Sequence, residues 1–221
     1  MPNWNDNKVM ISGNEFEINR MIESGLDGEE GFCMNKLIPE LKNDDGSPDI
    51  TNHYKWRMIN WGCKMDMNAQ VPVDVDRIST NNVVMDYQTP NCPNLQFWHS
   101  ISEMYPTLNI NVSYFEGGIN EGGRFNVENG IINDDEVVNL TDGSSILEMA
   151  DYLESINMDC WADSLRECAE EDFNGMTEEQ YREAEGEGPI TPFTINKGNI
   201  QSLLTHYSNF KSYESMVPPK W

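Results

Sequence analysis

The sequence predicts an α+β protein: a ferredoxin-like antiparallel sheet with helices on one face, followed by an acidic C-terminal helical part. Three observations carry this reading. Runs that alternate apolar and polar residues are interleaved with stretches of helical spacing, in the order strand, helix, strand, strand, helix, strand, strand. From about Asp142 the alternation gives way to helical periodicity. The negative charge is concentrated in the same later part of the chain. The expected division is a ferredoxin-like domain over 1–140 and an acidic helical extension over 141–221.

The first strand signal is Lys8-Val9-Met10-Ile11-Ser12-Gly13. Asn14 to Glu23 then places Phe16, Ile18, Met21 and Ile22 at near-helical spacing, with Asn14 as an N-cap and Gly25 as a stop. Residues 26–53 read mostly as loop, with a short helix near Asn35–Leu41. Tyr54 to Met65 predicts a strand, with Trp56, Met58 and Asn60 on one face and Arg57, Ile59 and Trp61 on the other. A further strand covers Asn82–Tyr87 and ends at Thr89-Pro90. Pro93 opens a helix to about Tyr105, with Leu95, Trp98, Ile101, Ser102 and Tyr105 on one stripe, and Pro106 stops it. Leu108 to Phe115 alternates as a half-buried strand, and two glycine pairs follow. Gly123–Glu128, Asn129-Gly130 and Ile131-Ile132 read as a hairpin, with Val137-Val138 extending it.

The later part predicts helices. Ser145 and Glu148 form a capping-box pattern, and Ile146, Met149, Ala150, Leu153 and Ile156 line one stripe. Met158 to Phe173 carries a second stripe of Trp161, Leu165, Cys168 and Ala169. A third helix begins at Thr177, Gly186 to Pro189 is a break, and a last helix spans Asn199–Phe210.

The net charge is −24, from 38 Asp and Glu against 14 Lys and Arg over 221 residues. Such a chain is a poor direct binder of nucleic acid or of an anionic membrane, because that affinity comes from Lys and Arg neutralising phosphates. Six Trp, eight Tyr and eight Phe supply enough large apolar surface for a packed core. No apolar run nears the ~20 residues that span a bilayer, and the polar N-terminus lacks a secretory pattern. The five cysteines are widely spaced without C-x-x-C, so reduced thiols are expected rather than disulfides or a structural zinc. A cytoplasmic protein without a cofactor follows.

No catalytic constellation is legible. The histidines are His53, His99 and His206, and no G-x-S-x-G precedes a helix. The paired glycines Gly117-Gly118 and Gly122-Gly123 lack the lysine and hydroxyl of a phosphate loop. Paired carboxylates abound, but no E-x-x-H or D-x-D-x-D-G pattern selects a metal. Between Asp134 and Glu187 eighteen carboxylates stand against Arg166 and Arg182, two thirds of the net charge. Carboxylates on helices can copy the charge of duplex DNA (about one per 1.7 Å of axis) or face a basic protein.

The opening Met1-Pro2-Asn3-Trp4-Asn5-Asp6-Asn7-Lys8-Val9-Met10-Ile11-Ser12-Gly13, and Trp56-Arg57-Met58-Ile59-Asn60-Trp61-Gly62-Cys63-Lys64-Met65-Asp66 with its W-x-x-x-N-W-G-x-K-x-D pattern, resemble blocks of the YubB-like family of plasmid and phage proteins. Asp86–Pro90, Tyr105–Leu108 and Tyr114–Gly118 with Gly123-Arg124-Phe125 look like its later blocks. The chain departs at Asn5, where the family has Cys, and at Asp86–Pro90, shorter than the family's F-D-T-A-W-S-P-P. The resemblance covers about residues 1–140. It implies a ferredoxin-like domain and a phage accessory protein made in the cytoplasm of a bacterial host.

The leading expectation is therefore a counter-defence inhibitor that binds a host protein with a basic surface, acting as a DNA mimic. Its candidate binding residues are Glu167, Glu170, Glu171, Asp172, Glu178 and Glu179. An alternative is an enzyme or binder acting on a nucleotide-like small molecule, in a cleft between sheet and helical part lined by Trp56, Trp61, Lys64 and Asp66. A structural or self-assembling protein, active as a homo-oligomer, is the third.

Overall fold

The protein is described from a computed structural model, over residues 3–43, 45–47, 53–118, 121–139 and 146–172. Its elements are β1 (Trp4–Ser12), α1 (Glu15–Gly25), α2 (Met34–Leu37), α3 (His53–Asn60), β2 (Asp76–Ser79), β3 (Asn82–Pro90), α4 (Leu95–Met104), β4 (Asn109–Glu116), β5 (Glu121–Glu128), β6 (Ile131–Asn139), α5 (Ile146–Ser155) and α6 (Asp159–Asp172). Among the described residues the strands form one sheet in the order β2-β3-β1-β4-β5-β6, with every neighbouring pair antiparallel. The first four strands, with α1 and α4 as crossovers, are the β-α-β-β-α-β arrangement of a ferredoxin-like fold, and a β5–β6 hairpin widens the sheet.

Local chemistry accounts for most of these elements. The Asn14 side chain accepts the Phe16 N–H at 2.9 Å and caps α1, as expected. The Asn129-Gly130 turn has both residues at positive φ (50° and 70°), which matches the twist of the flanking β5 and β6 strands. Alternation along β1, β3 and β4 turns Val9, Ile11, Val83, Met85, Ile110 and Val112 toward one face. There they meet Ile18 and Met21 of α1 and Phe97, Trp98 and Ile101 of α4. Each fully buried side chain of this size is worth about 1.5–3 kcal/mol of transfer free energy. A polar chain threads this core: the Trp98 indole N–H donates to the Tyr87 hydroxyl at 2.7 Å, and that hydroxyl donates to Asn94 Oδ1 at 2.6 Å.

Several features differ from the sequence expectation. Residues 53–60 are the helix α3, and no strand covers 54–65. Trp56, Ile59 and Asn60 stand three and four apart, and the Asn60 side chain donates back to the Trp56 carbonyl at 2.9 Å. The alternation was an accident of a helix followed by a turn at Gly62, whose φ is 82°. The strand β2 was missed because all four of its residues are exposed and so show no periodicity. β1 starts four residues early, at Trp4, because buried Asn5 and Asn7 occupy inward positions that alternation reserves for apolar residues. Hydrogen bonds offset that burial: Asn5 Nδ2 donates to Asn7 Oδ1 at 2.9 Å, and Asn7 Nδ2 to Thr89 Oγ1 at 2.8 Å. β3 likewise runs through Pro90, which pairs with Trp4.

The helices do not all lie on one face. α5 and α6 pack on the opposite side of the sheet, where Met149, Ala150, Leu153, Ile156, Met158 and Ala162 enclose Phe115 and Val138 in a second core. Met149, Ala150, Leu153 and Ile156 of the stripe expected on α5 are therefore buried, against the β4–β6 end of the sheet. Gly122 gives Leu153 room: a Cβ at Gly122 would stand 3.2 Å from a Leu153 methyl. The expected helices from Thr177 and over 199–210 lie outside the described residues.

Candidate functional site

The sheet face turned away from α1 and α4 is polar at its centre. Antiparallel register sets Asp6 of β1 beside Gln88 of β3, and Lys8 beside Asp86. Alternation points these four side chains away from the main core, since Asn7 and Val9 between and beside them point into it. The α5–α6 turn hangs over one end of this face. Asn157 turns the chain with φ 64°, a conformation asparagine tolerates, and the Met158 N–H closes on the Leu153 carbonyl at 2.8 Å. The next turn carries Asp159, Cys160 and Trp161. Trp161 is held against the sheet by Phe115, ring to ring at 5.0 Å and 61°.

Between sheet and turn lies a cleft of about 500 Å³. Asp6, Lys8, Asp86 and Gln88 form its floor, Asp159 and Trp161 its roof, and exposed Val71 sits on its rim. Gln88 Nε2 donates to Asp6 Oδ1 at 2.7 Å. Burial raises the Asp6 carboxyl above its ordinary range, and hydrogen bonds from Gln88 and Trp161 oppose that rise. Asp86 is exposed at the mouth yet partly desolvated, which raises it too; Lys8 opposes this and Asp76 adds to it. Three carboxylates and one ammonium thus line the cleft beside an indole.

The residues expected to line a cleft are placed elsewhere. Trp61 is fully buried in the main core, where its indole N–H donates to the Ile38 carbonyl at 3.0 Å and the Arg57 guanidinium stacks 5.4 Å from its ring centre. Trp56 meets it edge-on at 5.5 Å. Asp66 accepts the backbone N–H groups of Met34 and Asn35, each at 2.8 Å, and so caps α2. Desolvation raises its carboxyl against those hydrogen bonds. Lys64 turns to Asn91 Oδ1 at 3.0 Å and lies 5.8 Å from the Tyr54 ring centre. These contacts tie the four groups into the fold. A cleft between sheet and helices exists, but on the other face and from other residues. The only local trace of it is a polar strand face: Asp6 and Lys8 on β1, and Asp86 and Gln88 on β3, each stand at i, i+2 spacing.

Of the acidic candidates, Glu167 is exposed on α6. Glu170, Glu171 and Asp172 belong to the last turn of α6, their side chains outside the described residues. Glu178 and Glu179 lie outside the described residues altogether. Across 146–172 nine carboxylates face a single cation, Arg166. Arg166 is already engaged, by Glu154 at 2.5 Å and Asp151 at 3.1 Å, and so ties α6 to α5. Asp159, Asp163 and Glu167 are exposed at i, i+4 and i+8 on α6. Helical rise sets them about 6 Å apart along one face.

Burial pushes the Cys33 and Cys92 thiols up to about 11, which leaves them protonated and poor nucleophiles at neutral pH. His99 lies 4.0 Å from Glu103 one helical turn on. Among the described residues no three His, Cys, Asp or Glu side chains gather closely enough to hold a metal ion. No helix among them is long and apolar enough to cross a membrane.

No protein-family model matches the chain, and no curated protein matches it. Among solved structures, a crystal structure of the protein api92 from Yersinia pseudotuberculosis, of the DUF1281 family, is similar at a TM-score of 0.41 and 10% sequence identity. That likeness covers 61% of this chain and 97% of the other.

Proposed function

We propose that this chain is a binding protein that engages and inhibits a partner with a basic, nucleic-acid-binding surface through the acidic outer face of α5 and α6. The observation that carries the reading is the run of Asp159, Asp163 and Glu167 on a helix whose apolar side is fixed on the sheet. Packing on Phe115 and Val138 holds these carboxylates in place before binding, which lowers the ordering cost of association. Concentrating like charge costs folding stability through self-repulsion, and a cationic partner relieves that cost. Spacing of about 6 Å along α6 covers the axial advance of about two phosphates of one DNA strand, which suits a DNA mimic. A phage accessory role in a bacterial cytoplasm rests on the family resemblance. A nucleotide-like ligand is the poorer fit, because the cleft sets Asp6, Asp86 and Asp159 against the one ammonium of Lys8.

The test is capture from bacterial lysate with the tagged full chain, followed by titration of the purified partner. A stoichiometric basic partner is expected, its affinity falling with salt and falling roughly tenfold or more in the triple variant Asp159→Lys, Asp163→Lys, Glu167→Lys. Unchanged affinity in that variant would sink the acidic-face reading.

A further inference from the structure

We propose that the cleft under the α5–α6 turn is the seat of an arginine side chain of the partner, stacked on the Trp161 ring and paired with the carboxylate of Asp86, beside Asp6. This rests on the reading of the chain as a binder of a basic protein; the cleft adjoins the outer face of α6 and shares Asp159 with it.

Three features of the cleft select a guanidinium. Its lining carries three carboxylates against one ammonium, so a cation is drawn in and a phosphate repelled. Trp161 supplies an aromatic wall, braced by its 5.0 Å contact with Phe115, and a cation over an indole is favoured most when desolvated. Both floor carboxylates are partly removed from water, so the reward for pairing them exceeds that of an open surface pair. Arginine suits this better than lysine. Its planar fork pairs carboxylates bidentately, stacks on aromatic rings and is less strongly hydrated. A volume of about 500 Å³ admits a long side chain with part of its backbone. Lys8 is the competitor, because it stands across from Asp86 and draws that carboxyl toward the charged form. Its removal should therefore improve binding, the reverse of what an anion site requires.

The experiment titrates the ¹⁵N-labelled full chain with the blocked peptide acetyl-Gly-Arg-Gly-amide and follows the Trp161 indole N–H, assigned with Trp161→Phe. A saturable shift with roughly millimolar affinity is expected. It should weaken at least fivefold in Asp86→Asn and tighten severalfold in Lys8→Met, two substitutions at solvent-accessible strand positions. The citrulline peptide, equal in shape but neutral, should leave the resonance in place. No Trp161 shift, an equal shift with citrulline, or weaker binding in Lys8→Met would each overturn the proposal. Agmatine binding as tightly as the peptide, with partner affinity unmoved by Asp86→Asn, would instead assign the cleft to a free small cation and overturn the side-chain reading. The two proposals fail separately. A silent cleft leaves partner capture and its charge sensitivity intact, and a failed capture leaves the peptide titration readable.

Discussion

Truncating Leu153 to alanine should destabilise the whole protein, not only its C-terminal helices. Leu153 is fully buried between α5 and the sheet. The substitution removes three carbons, worth about 2.4 kcal/mol at ~0.8 kcal/mol per buried methylene. The space left does not collapse readily, because Phe115 and Gly122 that face it belong to paired strands, and Gly122 has no side chain to move. A residual cavity of about 50 Å³ would add about 1.2 kcal/mol at ~24 cal/mol per Å³. The gain in helix propensity is a few tenths at most. The expected loss is therefore about 3.5 kcal/mol, a quarter to more than half of a typical domain stability. The assay is urea unfolding in a Trp161→Phe background, followed in parallel by fluorescence, to which the buried Trp61 and Trp98 report, and by far-ultraviolet circular dichroism. Coincident transitions, both shifted by that amount, are expected for one cooperative unit. A fluorescence transition that stays in place while helical signal is lost earlier, or a loss below about 1 kcal/mol, would refute the claim that the second core is continuous with the sheet.

Two further outcomes follow from the site geometry. Asp66→Ala strips the two backbone N–H groups at the start of α2 of their acceptor and should cost about 1–2 kcal/mol in urea unfolding. It should leave partner affinity unchanged, because Asp66 is a cap and not a contact. Asp86→Asn should change the pH dependence of stability. The folded carboxyl titrates above its ordinary value, chiefly through desolvation, so its contribution is present at low pH and is lost as pH rises through the folded value. As pH rises from the ordinary carboxylate value through the raised folded value, the wild type should lose stability relative to Asp86→Asn; a wild type that gains on the variant over that rise would contradict the assigned cause.

How much of this protein is legible in one dimension depends on which residues a periodicity can reach. Where one face meets a core and the other meets water, burial writes itself into the sequence. The stripe Leu95, Trp98, Ile101, Ser102 and Tyr105 is buried throughout, and Asn129-Gly130 makes its turn through local backbone preference alone. Such segments announced the ferredoxin-like sheet and the two crossover helices. Segments stabilised by distant partners did not. β2 is exposed along its length and exists because β3 offers it a hydrogen-bonding edge. The inward Asn7 is tolerated because Thr89, more than 80 residues away, accepts from its side chain. The Trp56–Asp66 segment carries binding-site chemistry in its composition, yet Ile38, Met34 and Asn35 absorb its polar groups into the fold. The cleft is the sharpest case. Asp6, Asp86 and Trp161 are brought together by strand register and by the docking of Leu153 on Gly122, long-range pairings that no local pattern encodes.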